Sequence, residues 1–149
     1  MGIAFRVDEP GGVSVSVWAG EVTSNQALAH VAALAAAPGW GAGGRILTDL
    51  TAVASTSLPD REQVSELARR FVDQLDARTR PAKWAVIANA SFNRAAQFGE
   101  EIGEEGRRLI VFFDLASACI WLGVDLDTIR PVIEHVREEA RSQGLEERD

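Results

Sequence analysis

The chain reads RILTDLTAVASTSLP from residue 45 to residue 59, and the other predicted elements are arranged around this stretch. Its first part is apolar at Ile46, Leu47 and Leu50, which predicts a buried strand. A polar loop follows, and Asp49 is placed where the strand leaves the sheet. In an open α/β sheet, binding sites lie at such carboxyl ends of strands. The stretch therefore predicts a central strand followed by a loop that carries a site.

A helix is predicted directly after this loop. Ser57-x-x-Asp60 has the spacing of a capping box, and Pro59 is tolerated in a first helical turn because its missing N–H has no partner there. The helix extends to about residue 76. Its apolar residues recur at helical spacing, at Val64, Leu67, Ala68, Phe71, Val72 and Leu75.

Length and composition limit the class of protein. The 149 residues suffice for one domain, and 46% hydrophobic with 25% charged residues is the balance of a globular chain. A net charge of −7 argues against nucleic-acid binding, which needs clustered basic residues. The single Cys119 excludes an internal disulfide. No apolar run approaches the roughly 18 residues of a membrane span, and residues 1–6 lack a secretory signal, so we expect a cytoplasmic protein without a transmembrane segment.

The remaining elements alternate between strands and helices. Residues 3–7 and 13–17 predict an antiparallel hairpin, and Thr23-x-x-Gln26 predicts the start of a helix over about 24–37. Strands are predicted at 83–88 and 109–113, with a helix between them that starts at Ser91 and ends near Gly106. A short helix follows, which Asp114 caps and Gly123 ends. The order β-β-α-β-α-β-α-β-α predicts a mixed, mostly parallel α/β sheet of about five strands flanked by helices.

A last helix is predicted from Asp127 or Thr128, with Pro131 in its first turn. Its apolar stripe consists of Ile129, Ile133, Val136 and Ala140. We expect residues 1–123 to form the α/β domain, and residues 124–149 to form a C-terminal helix and charged tail packed on it. The stripe is also a surface on which two copies could associate, which makes a homo-oligomer an open alternative.

Several short stretches resemble the STAS-like fold, the sulfate-transporter and anti-sigma-factor-antagonist domain, and within it the small bacterial STAS/SEC14-like or sporulation-antagonist-like proteins. The resemblance covers residues 3–123. The matching residues are Gly20-Glu21-Val22-Thr23, residues 45–50, residues 83–87, Phe112-Phe113-Asp114, and Ala118-x-x-Trp121-Leu122.

The resemblance implies a phosphorylatable serine in the loop after the third strand. The family pattern is similar to Asp-Ser-Ser-Gly-Leu, and the corresponding residues here are 54–58. This stretch keeps hydroxyls beside a leucine at Ser55, Thr56 and Ser57, but it has no acidic residue before them and no glycine after them. These three residues, with Asp49, are the candidate partner-binding or phospho-switch residues. The alternative is that Ser57 only caps the helix.

Acidic residues at strand ends also suggest a receiver domain. Asp49 and Asp114 follow predicted strands, and Asp8 and Glu9 follow the first one. A receiver needs a helix after its first strand and a lysine after its last, and this chain has a hairpin and no such lysine. We therefore interpret Asp114 as a helix cap and Asp49 as a hydrogen-bond acceptor that anchors the loop.

The sequence gives little support for catalysis. Cys119 lies on the apolar face of its helix, where it packs, and His30 and His135 are predicted off the apolar faces of theirs. The chain has no nucleophile elbow, phosphate loop or metal-ligand pattern, so we expect no enzyme, no metal and no cofactor. Glutamates 100, 101, 104 and 105 are interpreted as a solvated helix face.

Two functions remain open. The first is a non-catalytic, regulatory module that binds an unknown protein through the loop after the third strand and the start of the second helix. The second is a binder of a small apolar ligand or lipid, in a pocket lined by Trp40, Phe98 and Trp121. Trp40, in a glycine-rich connection, is either an exposed contact or folded back over the first helix. A protein-binding module predicts a filled core, whereas a ligand binder predicts a cavity of about 300 Å³ or more.

Overall fold

The computed structural model of the chain describes residues 2–8, 12–23, 25–27, 29–30, 33, 45–53, 60–74, 83–89, 91–102 and 108–146. Within these ranges the order of elements is β1 (Gly2–Asp8), β2 (Val13–Gly20), β3 (Arg45–Val53), α1 (Arg61–Gln74), β4 (Lys83–Ile87), α2 (Phe92–Ile102), β5 (Arg108–Phe112), α3 (Leu115–Leu122) and α4 (Leu126–Glu146). Described residues 25–27, 29–30 and 33 are also helical, and we refer to them as the N-terminal helical segment.

The strands form one five-stranded sheet in the order β1-β2-β3-β4-β5. β1 and β2 are antiparallel, as the hairpin pattern predicts, and the other neighbouring strands are parallel. The predicted mixed, mostly parallel sheet flanked by helices is confirmed. β3 is the central strand, so residues 46–50 lie in the middle of the sheet.

Helices α3 and α4 cover the face of the sheet that carries Val15, Leu47 and Ala85. α4 lies over β1 and β2, and its apolar stripe is buried in this core at Ile129, Ile133, Val136 and Ala140. Burial of a large aliphatic side chain contributes about 1.5–3 kcal/mol, so the stripe holds α4 firmly on the sheet. The stripe is therefore not the free surface for self-association that the sequence pattern suggests.

Two cations from the sheet hold the end of α3. Lys83 Nζ donates to the carbonyl of Trp121 at 2.8 Å and lies 5.4 Å from the centre of the Trp121 ring. Arg45 Nη1 donates to the carbonyls of Leu122 at 3.2 Å and Gly123 at 3.1 Å. The last carbonyls of a helix have no partners within it and carry partial negative charge, so both contacts stabilise this helix end.

Helices α1 and α2 cover the opposite face, around a core that contains Ile46, Trp84 and Val86. This face also buries hydroxyl groups. Trp84 Nε1 donates to Thr48 Oγ1 at 3.0 Å, and the Thr48 and Ser16 hydroxyls are hydrogen-bonded at 3.0 Å. The pairing removes the cost of burying these polar groups between the sheet and its helices.

The Thr48 contact gives a stability prediction. Thr48→Val keeps the shape of the side chain but removes the acceptor of the buried Trp84 indole, and we expect a loss of about 1–3 kcal/mol. Urea unfolding measures the loss. In NMR spectra the indole N–H signal of Trp84 should move, while that of Trp18, which donates no hydrogen bond to a described residue, stays in place. An unchanged Trp84 signal would show that the contact does not persist in solution.

Two of the predicted helix caps are confirmed. Thr23 and Gln26 form a reciprocal capping box, with Thr23 N to Gln26 Oε1 at 2.8 Å and Gln26 N to Thr23 Oγ1 at 3.2 Å. Asp114 caps α3 by accepting from Ser117 N at 2.7 Å, and Gly123 ends α3 with a left-handed φ of 74°. The predicted stop at Gly106 lies outside the described residues.

The predicted start of α1 is wrong by three residues. α1 begins at Arg61, and its capping box is Asp60 with Gln63: Gln63 N donates to Asp60 Oδ1, and Asp60 N to Gln63 Oε1, both at 2.8 Å. Asp60-x-x-Gln63 matches the capping pattern as well as Ser57-x-x-Asp60 does. Its carboxylate accepts from the backbone N–H more strongly than a serine hydroxyl would.

The start of α4 also differs from the prediction. The helix begins at Leu126, and the cap is Asp125, which accepts from Asp127 N at 3.2 Å and from Thr128 Oγ1 at 3.1 Å. Pro131 consequently lies in the second turn of the helix, not in the first.

Candidate functional site

The site predicted from the sequence begins where β3 extends beyond the end of β4. β4 ends at Ile87, opposite Asp49, while β3 continues to Val53 beside β2. The pairing of β2 with β3 shifts between Val17–Asp49 and Ala19–Ala52, so one residue of β2 faces two of β3. This arrangement is a β-bulge, which bends a strand and redirects the chain that follows it.

The Asp49 side chain holds the bulge. It is 0% exposed, and its Oδ1 accepts from Thr51 N at 2.9 Å and from Thr51 Oγ1 at 2.7 Å. Asp49 is therefore a hydrogen-bond acceptor, as predicted, but its carboxylate is sealed from solvent. Asp49 can orient the chain that enters the loop, and it cannot itself touch a partner.

Arg137 of α4 completes the surroundings of Asp49. Its Nε donates to Asp49 Oδ2 at 2.6 Å, across 88 positions of the chain. The Arg137 side chain is 32% exposed and the Asp49 side chain is fully buried, so only the arginine of this ion pair reaches solvent. The sequence pattern misses Arg137, although a buried carboxylate in a central strand is a signal that a cation must be found elsewhere in the chain.

The loop itself, residues 54–59, lies outside the described residues, and so do the candidates Ser55, Thr56 and Ser57. The residues on both sides of it are described. Thr51 and Ala52 are exposed at the end of β3, and residues 60–63 are exposed at the start of α1. The predicted contact surface therefore has solvent-facing ends at both of its described boundaries.

Helix α2 supports the first turns of α1. Gln97 Nε2 donates to the carbonyl of Arg61 at 3.0 Å and to Glu101 Oε2 at 3.3 Å. Ser65 Oγ lies 2.6 Å from Glu101 Oε1 and 3.1 Å from the carbonyl of Arg61. Glu101, interpreted from the sequence as part of a solvated face, is exposed but also joins the two helices. Glutamates 104 and 105 lie outside the described residues.

Two of the three aromatic residues proposed for a ligand pocket lie on opposite faces of the sheet. Phe98 packs with Trp84 on the α1–α2 face, at a ring distance of 5.9 Å. Trp121 packs with Phe112 on the α3–α4 face, at 5.8 Å. The sheet separates these two side chains, so a single cavity lined by both is not formed. Trp40, the third proposed residue, lies outside the described part of the chain.

His30 corrects another prediction. His30 is buried, not solvent-facing. Its ring packs edge-on against the rings of Phe5 and Trp18, with 5.5 Å between the ring centres in each pair. Burial lowers the pKa of His30 from 6.5 to about 4. Neither His30 Nε2 nor Trp18 Nε1 has a hydrogen-bond partner among the described residues. His135 is exposed, as predicted, and lies 2.8 Å from Glu139 on the same helix.

The other reactive groups are placed for structural roles. Cys119 is buried in the α3–α4 core, and burial raises the pKa of its thiol, which keeps it protonated. Hydrogen bonds from the Ser117 amide and hydroxyl lower the pKa of Asp114, as expected of a helix cap. Within the described ranges, no group of three or more His, Cys, Asp or Glu side chains is arranged to hold a metal ion. None of the described helices is both long and apolar enough to span a membrane.

Comparison with known proteins gives one informative match. No protein-family model matches the chain, and no curated protein matches it in sequence. Among solved structures, an anti-sigma factor antagonist from Mycobacterium paratuberculosis is similar to it, with a TM-score of 0.51 and 19% sequence identity. The match covers 81% of this chain and 94% of that one. The five-stranded mixed sheet, its flanking helices and this match together show that the chain has the STAS fold.

Proposed function

We propose that this chain is a non-catalytic regulatory domain of the cytoplasm that binds a protein partner through the loop after β3 and the start of α1. The observation that carries the proposal is the exposed first turn of α1, which Gln97 and Glu101 hold against α2. A surface that is already ordered loses little conformational entropy when a partner docks on it. The solved structure with the same fold is named an anti-sigma factor antagonist, and such a name describes opposition to another protein.

The chain is held in place by hydrogen bonds both before and after the proposed loop. The bulge at Asp49 fixes the direction in which the chain leaves β3, and the capping box of Asp60 and Gln63 fixes where it enters α1. Both anchors are formed by residues outside the loop, and the proposal assigns recognition to residues 54–59 between them. Asp49 belongs to this site as a positioning residue.

Within this site, Ser55, Thr56 and Ser57 are the proposed phospho-switch. A phosphate adds about −1.5 to −2 charge at neutral pH, beside the acidic residues Asp60 and Glu62. The dipole of a helix start stabilises such a group by about 0.3–1 kcal/mol, whereas reversing a two-state equilibrium from 1:99 to 99:1 takes roughly 5.5 kcal/mol. Phosphorylation would therefore act by repelling a docked partner and not by refolding the domain.

The test compares the proteins that immobilised variants of the chain capture from native lysate, quantified by mass spectrometry. We expect Ser57→Asp and Arg61→Glu to reduce capture of the specific partner at least tenfold. Arg141→Glu makes the same charge change as Arg61→Glu, but on the exposed side of α4 and far along the chain from the loop, and it should leave capture unchanged.

Circular dichroism of each variant shows whether the domain remains folded. Equal capture by wild type, Ser57→Asp and Arg61→Glu would place the partner surface elsewhere. Loss of capture only with Arg141→Glu would mean that the partner binds to α4 and not to the loop.

A further inference from the structure

Strand β5 lies at one edge of the described sheet. Among the described residues it pairs only with β4. Natural edge strands are usually protected by an inward charge, a proline or a bulge, because free backbone groups can pair with another strand. The run from Leu109 to Phe113 is LIVFF and contains no charge and no proline, and the charge of Arg108 lies only at the first residue of the strand. It has high β-propensity and no charge, which is the composition that favours strand pairing.

Two exposed apolar side chains lie in this strand and directly after it. In the described part of the chain the exposed large hydrophobic residues are Ile110 (41%), Phe113 (66%) and Ile120 (81%). Ile110 lies in β5, and Phe113 follows it directly and stacks on Phe92 of α2 at 4.6 Å. Apolar surface concentrated at the edge of a sheet is typical of an interaction site.

The other edge of the sheet is protected. In β1, Ile3 N donates to Gln143 Oε1 of α4 at 3.2 Å, so this backbone group is already used. Arg6 places an exposed charge within the strand. The two edges therefore differ, and β5 is the one built to accept a further strand.

We propose that two copies of this chain pair through β5, antiparallel, about a two-fold axis at Val111. Val111 then faces Val111 of the partner subunit, and Ile110 faces Phe112 of the partner subunit. Leu109 faces the exposed Phe113 of the partner subunit. Each of these pairs lies on one face, because successive residues of a strand alternate between faces and the paired residues differ by an even number.

Charge complementarity favours a second copy over an unrelated strand. The same register brings Arg108, at the start of β5, opposite Asp114 of the partner subunit, and the two-fold axis repeats this pair at the other end. The sequence RLIVFFD of residues 108–114 is thus complementary to itself in both charge and apolar character. An isologous contact of this kind closes as a dimer and leaves no free β5 edge.

The interface is short, so we expect a reversible dimer with a dissociation constant in the micromolar range. Sedimentation velocity of the full chain, from about 1 µM to about 500 µM, measures it. Ile110→Lys places a protective charge on the edge and should weaken dimerisation at least tenfold. Ile120→Lys is the matched control: it changes the same residue type at a more exposed position on α3 and should dimerise as wild type does.

Two further measurements test the register. Arg108→Glu should weaken dimerisation, whereas Arg141→Glu should not. Amide hydrogen exchange should show protection of residues 109–113 that increases with protein concentration. The proposal is overturned if the wild type stays monomeric over the whole range or if Ile110→Lys dimerises normally. Concentration-dependent protection that appears on α4 and not on β5 also overturns it, and an Arg108→Glu chain that dimerises as wild type rejects the register.

Discussion

Arg137→Met should lower the free energy of unfolding by about 3 kcal/mol or more. The substitution keeps the aliphatic length of the side chain but leaves the fully buried Asp49 carboxylate without its cation. Removing one member of a buried ion pair costs about 3–5 kcal/mol, because the remaining charge has lost both its water and its partner. For a chain of this size, we expect the melting temperature to fall by roughly 6–12 °C.

The two members of this pair are not equivalent. Asp49→Asn leaves Arg137 without a carboxylate, but the guanidinium is 32% exposed and can turn towards water. We therefore expect a smaller loss from Asp49→Asn than from Arg137→Met. The double variant should be more stable than Arg137→Met alone, because it contains no unpaired buried charge. Such a gain is the non-additivity that a double-mutant cycle measures.

Urea unfolding at pH 7 provides all four free energies of the cycle. Arg141→Met is the control, since it makes the same change one turn further along α4 at an exposed position, and it should stay within about 0.5 kcal/mol of wild type. If Arg137→Met and Arg141→Met unfold alike, the Asp49–Arg137 pair does not hold α4 to the sheet.

Local sequence patterns predict most of the architecture because each depends on neighbouring residues. Alternation in β2, the continuous apolar β5 and the stripe of α4 each report which side of an element is buried. The caps at Thr23 and Asp114 are likewise local, since donor and acceptor lie three residues apart. The predicted start of α1 is wrong for the same local reason, because two capping patterns overlap there and the sequence fits both.

The candidate site is harder to predict because its contacts join distant parts of the chain. Asp49 and Arg137 lie 88 positions apart, and nothing in either local pattern links them. Gln97 and Glu101 sit on the polar side of α2, where solvation and a contact with α1 give the same sequence pattern. The open edge of β5 depends on strand order, which the order of elements along the chain does not determine.

His30 shows a further limit of helical patterns. A histidine is counted as polar, so the periodicity of the first helix assigns it to solvent. A neutral imidazole, however, can pack its ring against other aromatic rings, and β1 and β2 supply Phe5 and Trp18 on the same side of the sheet. Its burial is a tertiary effect, and it has a consequence for stability that the sequence does not reveal.

That consequence is an acid-dependent loss of stability of about 3 kcal/mol. The pKa of His30 is about 4 in the folded chain and 6.5 as its ordinary value. Between these two values the unfolded chain binds a proton that the folded chain does not, so stability falls as the pH falls. The stabilising effect of a neutral His30 is complete above pH 6.5 and is lost progressively as pH decreases to about 4. A gap of roughly 2.5 units at about 1.4 kcal/mol per unit gives the expected size.

His30→Phe isolates this effect, because carboxylates also contribute to acid unfolding. Phenylalanine retains an aromatic ring against Phe5 and Trp18 but cannot take up a proton. We expect the stability of wild type relative to His30→Phe to decrease by about 3 kcal/mol between pH 7 and pH 4. Urea unfolding at half-unit intervals of pH measures the two curves, and parallel curves for wild type and His30→Phe would mean that His30 is protonated as readily in the folded chain as in the unfolded one.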